Sequence, residues 1–227
     1  LGYTALGLFT SEEDIKNNNI CQFGETYPGE LTKPGDIKYK DLNGDGKIDD
    51  YDKSYVNDGD VPSTYYGFGG DVRWKNFGLG FLFQGTAGAH RFLSGSGINP
   101  FTSSSGGGTL YANITDRWNE NDPENTNVFY PRLAWGAKDP SNQNNYQTST
   151  WWLRDMSFLR LKQFTVSYYF PKAWTKSGIL KGGRFYIMGE NVLTFSKFKL
   201  WDPELNTSNG ISYPNVRTFS LGVNFNI

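Results

Sequence analysis

A chain of 227 residues with a net charge of −1, one cysteine (Cys21) and one histidine (His90) has no means of forming an internal disulfide. It offers no basic surface to nucleic acid and no framework for a His-centred triad or a zinc site. Aromatic residues reach 17% while hydrophobic residues are only 37%, and no run approaches the roughly 18 apolar residues of a membrane helix, so any large apolar surface has to come from alternation.

The chain opens "LGYTALGLFTSEEDI", with no initiator Met, charged leader or cleavage site, and so reads as a piece of something longer or a processed product. Residues 1–63 are expected to be a loop region outside the cell. Within it, "DLNGDGKIDDYD" (41–52) has the spacing of a calcium loop. Asp41, Asn43 and Asp45 fall at positions one, three and five, and Gly46 at the sharp turn. Lys47 offers its carbonyl at position seven, Asp49 falls at nine and Asp52 at twelve. Asp stands at twelve instead of the usual bidentate Glu, as in dockerin-type loops. The competing expectation is a turn-rich loop that holds its shape through Asx turns. Calcium (Ca2+) is the one cofactor the sequence suggests.

From residue 64 onward the period is two. In "YYGFGGDVRW", Tyr66, Phe68, Val72 and Trp74 alternate with Gly67, Gly69, Asp71 and Arg73; in "FGLGFLFQG", Phe77, Leu79, Phe81 and Phe83 share a face, broken by Leu82. "RLKQFTVSYYF" alternates from Phe164 to Phe170, "GRFYIMGENVLTF" does so more weakly, and "VRTFSLGVNFNI" sets Phe219, Leu221, Val223, Phe225 and Ile227 against Thr218, Ser220, Gly222, Asn224 and Asn226. Strict alternation puts one apolar face opposite one polar face. Five strands are expected, at about 64–75, 76–89, 152–170, 182–195 and 216–227. Helical periodicity is visible only at 110–118, inside a loop.

The connections alternate between a tight turn at 75–76, a long loop at about 90–151, a short link at 171–181 and another long loop at about 196–215. Transmembrane barrels sort their loops in this way, with short turns inside and long loops outside, and use about 9–11 residues per strand. Tyr65, Tyr66, Trp74, Trp151, Trp152, Tyr168, Tyr169 and Phe170 fall at strand ends, where barrels carry aromatic girdles. Five strands alone leave unpaired edges in hydrocarbon, so a membrane barrel needs more strands than these. The fold class expected is therefore all-β, an antiparallel transmembrane β-barrel of which residues 64–227 supply five strands.

"PGDIKYKDLNGDGKIDDYDKSYV", "STYYGFGGDVRWKNFGLGFLFQG", "WWLRDMSFLRLKQFTVSYYFP", "GGRFYIMGENVLTFSK" and "VRTFSLGVNFNI" resemble, in order, the C-terminal part of SusC/RagA-like TonB-dependent outer-membrane transporters; "DRWNENDPENTNVFYPRL" is similar to an external loop of that family. The resemblance covers about residue 34 to the end. It implies the last five strands of a roughly 22-stranded barrel, a plug domain and a TonB-contacting segment further toward the N-terminus, and a SusD-like surface lipoprotein as lid. It also implies import of oligosaccharides or peptides across the bacterial outer membrane. The last residue is Ile227, where outer-membrane proteins often end in an aromatic; Phe225 stands two positions earlier on the same face.

On that reading there is no reaction to catalyse, and acid pairs such as Glu120 and Asp122 stand in polar, unframed sequence. Contacts to substrate or partner are expected from Trp118, Tyr130, Arg132, Trp135 and Trp201 in the external loops, with Asp116 and Arg117 organising the longer one. The alternative is a secreted calcium-dependent carbohydrate-binding β-sandwich, which explains the calcium loop and the aromatics but not the alternating loop lengths.

Overall fold

In the computed structural model the described residues are 1–57, 59–102, 112–175 and 181–226. They divide into two compact units: Leu1–Asp58 with Arg91–Arg154, and Gly59–His90 with Asp155–Ile227.

The second unit is a five-stranded antiparallel sheet. To number its strands in chain order, the short ones of the first unit come first: β1 (Ala5–Leu8), β2 (Cys21–Gln22), β3 (Ile37–Tyr39) and β4 (Lys47–Ile48). Then follow β5 (Thr64–Trp74), β6 (Phe77–Ala87), the short β7 (His90–Phe92) and β8 (Leu153–Asp155), β9 (Phe158–Tyr169), β10 (Gly182–Ser196) and β11 (Thr218–Asn226). The sheet order is β5-β6-β9-β10-β11, so each long strand pairs with the next long strand in the chain. Their lengths of 11, 11, 12, 15 and 9 residues match the about 9–11 residues of a tilted membrane-spanning strand or exceed it. All five alternating segments are strands. The one read as 152–170 is two, because Asp155 Oδ1 accepts the Ser157 N–H and turns the chain between β8 and β9.

The turn at 75–76 is two residues long, with Trp74 opposite Phe77. Lys75 has φ 54, the left-handed conformation such tight turns demand. Asn76 fixes the turn to β9: its Nδ2 donates to the Tyr169 carbonyl at 2.8 Å, and its carbonyl accepts the Tyr169 N–H at 2.7 Å.

Lys162 on β9 is the residue that alternation alone misplaces. Counting back from Phe164 in steps of two puts Lys162 and Arg160 on the apolar face. In the sheet, Gln163 pairs with Leu82 but the next pair is Leu161 with Phe83, so Lys162 is an extra residue. On β10 the same point carries Asn191 and Val192 between Glu190 and Leu193, with Asn191 at φ 53. A β-bulge shifts the facing by one residue. Here it sends Leu161 and Leu159 to the apolar face and Arg160 to the polar one.

The first unit corrects the expectation of a loop region at 1–63 and a separate loop at 90–151, because parts of both share one core. Tyr3, Leu8, Ile37, Tyr39, Ile48 and Trp118 are buried together, with Phe23 and Trp151 packed against them. β1 pairs with β3, and β2 runs parallel to β4. Two helices here carry no period long enough to read. α1 (Glu12–Asn18) is capped by Ser11, whose side chain accepts the Asp14 N–H, and buries only Ile15. α2 (Pro140–Asn145) has Asp139 as its N-cap and Pro140 in its first turn. In the region expected to be helical, Leu110 and Tyr111 lie outside the described residues, and Ala112–Thr115 form a single 3-10 turn.

α2 buries Ser141, Asn142, Asn144 and Asn145, and the last two take the place of a strand beside β3. Asn145 Oδ1 accepts the Ile37 N–H at 2.8 Å, and Asn144 Nδ2 donates to the Ile37 carbonyl at 3.0 Å. Gln22 completes the arrangement from β2, accepting the Tyr39 N–H and donating to Asn144 Oδ1. A buried polar network that is satisfied specifies one arrangement of its segments, and this one ties α2 to β2 and β3 across more than 100 residues.

Candidate functional site

Pairing register makes the long sheet two-faced. Nearest the 75–76 turn, Trp74, Phe77, Tyr168, Phe185 and Val223 lie side by side across all five strands. The next row is Val72, Leu79, Val166, Ile187 and Leu221, and the next Gly70, Phe81, Phe164, Gly189 and Phe219. Beyond the bulge come Phe68, Phe83, Leu161 and Leu193. This apolar face is open: Leu221 is 73% exposed, Trp74 65%, Val72 63% and Phe219 61%. Contiguous exposed apolar surface of this extent marks contact with something other than water.

The opposite face is polar in the same rows: Arg73, Gly78, Ser167, Tyr186 and Gly222; then Asp71, Gly80, Thr165, Met188 and Ser220; then Gly69, Leu82, Gln163, Glu190 and Thr218. Two glycines make room for rings that lie along the sheet. A Cβ on Gly222 would stand 2.3 Å from the Tyr186 ring, and one on Gly78 3.0 Å from the Tyr169 ring.

At the far end of this face the 197–217 segment is tied down by charge. The Arg160 side chain, 2% exposed, pairs with Asp202 and, at 3.3 Å, with Glu204. Glu204 also accepts from Asn215 Nδ2 at 2.9 Å. A buried guanidinium needs such partners, and the bulge at Lys162 is what turns Arg160 toward them.

The five residues expected to contact substrate or partner separate. Trp118 is 5% exposed and Tyr130 fully buried. Trp118 belongs to the first unit's core and donates from Nε1 to the Pro123 carbonyl. Tyr130 packs edge-on against Phe129 and donates its hydroxyl to the Gly97 carbonyl. Both are corrected from ligand surface to core, since polar flanking sequence hides an inward-facing ring. Arg132 donates to Ser141 Oγ at 2.8 Å, and that hydroxyl donates to Asp36 Oδ2 at 2.9 Å. Burial outweighs these hydrogen bonds and pushes the Asp36 carboxyl up to about 6. Trp135 is 67% exposed beside Phe101. Trp201 is half-buried against Phe198.

The 41–52 loop holds its shape through backbone N–H groups. Asp41 accepts from Gly44 and Gly46, Asn43 from Asp45, Asp45 from Lys47, and Asp49 from Tyr51. The Gly46 N–H is the main cause of an Asp41 carboxyl below its ordinary range. Asp52 is buried, with its two oxygens on the Leu42 and Asp49 N–H groups. Among the described residues no three His, Cys, Asp or Glu side chains are grouped to hold a metal ion. The donors are hard oxygens at this spacing, and each accepts at least one backbone N–H.

No family model matches this chain. Among curated proteins it is 34% identical over 98% of its length to TonB-dependent receptor P3 of Formosa agariphila, covering 21% of that protein. It is 30% identical to TonB-dependent receptor P26 of the same organism and 29% identical to TonB-dependent receptor SusC of Bacteroides thetaiotaomicron, covering 22% and 19% of them. The chain thus spans about a fifth of the length of these relatives. Among solved structures, 99% of the chain superposes on 22% of a chain of the RagAB peptide transporter, with TM-score 0.67 at 19% identity; the RagAB peptide importer in the closed-closed state gives 0.66. That likeness shows the fold, an antiparallel all-β barrel wall. The relatives are receptors and importers, not enzymes.

Proposed function

We propose, because this chain belongs to the SusC/RagA-like TonB-dependent receptors, that it forms part of the wall and external surface of an outer-membrane nutrient importer in a bacterium. The observation that carries this is the two-faced sheet. Five strands of spanning length present an unbroken apolar face, exposed by 37–73% at residues from Val72 and Phe81 to Leu221, against a polar face rich in Gly, Ser, Thr and Asn. Lipid covers the first face and the transport path runs along the second. A secreted β-sandwich would need a second sheet over the apolar rows, and among the described residues this unit has one sheet.

Three partners complete the reading. A TonB complex supplies energy through a part of the receptor other than this chain, and a SusD-like lipoprotein closes over the external loops, where exposed Trp135 is an available contact. The cargo is an oligosaccharide or a peptide. The test is the native mass of the species carrying this chain, extracted from outer membranes in detergent. A large barrel polypeptide with a co-isolating lipoprotein is expected; a free protein of about 25.6 kDa in the soluble fraction contradicts it.

Calcium is a separable part of the proposal. What supports it is the register of oxygen donors from Asp41 to Asp52, with Asp41, Asn43, Asp45, Asp49 and Asp52 as side-chain ligands and Lys47 through its carbonyl. Asp45 and Asp49 each give one oxygen to a backbone N–H and keep acceptor capacity for a cation. A calcium-dependent rise in Tm that is lost in Asp41→Ala/Asp45→Ala supports it, and an unchanged parent protein removes it.

A further inference from the structure

Two arginines, Arg73 and Arg184, lie on the polar face near the 75–76 turn, and neither has an ion-pair partner among the described residues. Arg73 reaches from β5 across the bare Gly78 of β6, and its Cζ lies 3.9 Å from the centroid of the Tyr169 ring on β9. Arg184 on β10 stands directly opposite Tyr169 in register, with its Cζ 5.2 Å from the Tyr186 ring centroid. Both arginines line the same depression of about 390 Å³, with Asp71 at its margin. A second depression, of about 460 Å³, joins them to Asn224.

The stacking geometry decides what such a site takes. A guanidinium lying against an aromatic face is held by the ring's quadrupole, and its N–H edge stays free to donate. Two such edges suit a planar, bidentate acceptor, and a carboxylate is one. Charge narrows the choice. Arg73 and Arg184 with Asp71 leave the depression with one net positive charge, which a monovalent carboxylate balances and a divalent phosphate overshoots. The Asn224 amide beside the pair donates and accepts, as a peptide backbone requires.

We propose that Arg73 and Arg184 form a binding site for the carboxylate of an acidic polypeptide segment presented to the polar face of the sheet. The site rests on the reading of that face as the inside of the barrel. Its occupant is a polypeptide carboxylate, belonging either to another stretch of the receptor or to a bound peptide.

Zero-length coupling tests this directly. The receptor carrying Arg73→Lys or Arg184→Lys is purified from outer membranes in detergent and treated with a water-soluble carbodiimide, which joins an amine only to a carboxylate in contact with it; the joined peptides are identified by mass. Each variant is expected to form an amide with an Asp, Glu or C-terminal carboxylate outside residues 1–227, and the mass of the coupled chain tells a receptor segment from a separate peptide. No coupling, or coupling confined to Asp71, overturns the site. Failure of the outer-membrane reading shows earlier and separately, as absence of the parent receptor from the membrane fraction.

Discussion

The two units use the same apolar residue types in opposite ways. In the first, Tyr3, Leu8, Ile37, Tyr39, Ile48 and Trp118 close on one another and are 5% exposed or less. In the second, Val72, Trp74, Phe219 and Leu221 stand 61–73% exposed in register-aligned rows. Composition does not separate the two cases. The arrangement does: short strands and buried asparagines fold back to cover a core, whereas long strands of period two spread their apolar residues over one face that their own unit does not cover.

The comparison breaks most easily at Trp118. If it is core, Trp118→Ala costs about 3–5 kcal/mol and shows as lost amide-exchange protection at Ala5–Leu8 and Ile37–Tyr39, while Trp135→Ala stays within about 0.5 kcal/mol. Equal effects at the two positions would erase the distinction between buried and displayed aromatics. Next in size is the lipid-facing row. Leu221→Arg is expected to lose about 2–4 kcal/mol of barrel stability and to deplete the heat-modifiable folded species on gels, whereas Ser220→Arg, one residue away on the polar face, leaves that species in place.

A smaller effect belongs to Asp36. Its folded-state pKa of about 6 lies above its ordinary 3.8, so between those values the folded state holds a proton that the unfolded chain has released. Stability of the first unit therefore falls as pH rises from about 4 to 6, by at most about 3 kcal/mol. The slope should vanish in Asp36→Asn, read as chemical denaturation midpoints across that range. A parent protein whose midpoint is flat or rising there contradicts the burial argued for Asp36.

Much of the sheet was legible because alternation is a local property. Thr218 to Asn226 can be assigned to faces without knowing what pairs with them. The bulge was not, since its effect on Arg160 and Lys162 depends on Leu82, Phe83 and Asn191 in other strands. The first unit was hidden for a related reason: its polar network joins Asp36 and Ile37 to Asn145, more than 100 residues on, and neither stretch is periodic. Among the expected contact residues, Trp118 and Trp135 sit in equally polar sequence. A lone aromatic carries no period to tell inward from outward. The S-E-E-D capping pattern at Ser11 and the Asp139–Pro140 start of α2 were readable helix signals that the loop expectation passed over.

The central claim is that the apolar rows face lipid and the polar rows face water. It is tested most directly by single-cysteine labelling along β11 in outer-membrane vesicles, in a Cys21→Ser background with a membrane-impermeant maleimide. Cysteines at Ser220, Asn224 and Asn226 should label, and those at Phe219, Leu221 and Val223 should not. Uniform labelling at all six positions, or the reverse alternation, would contradict the account.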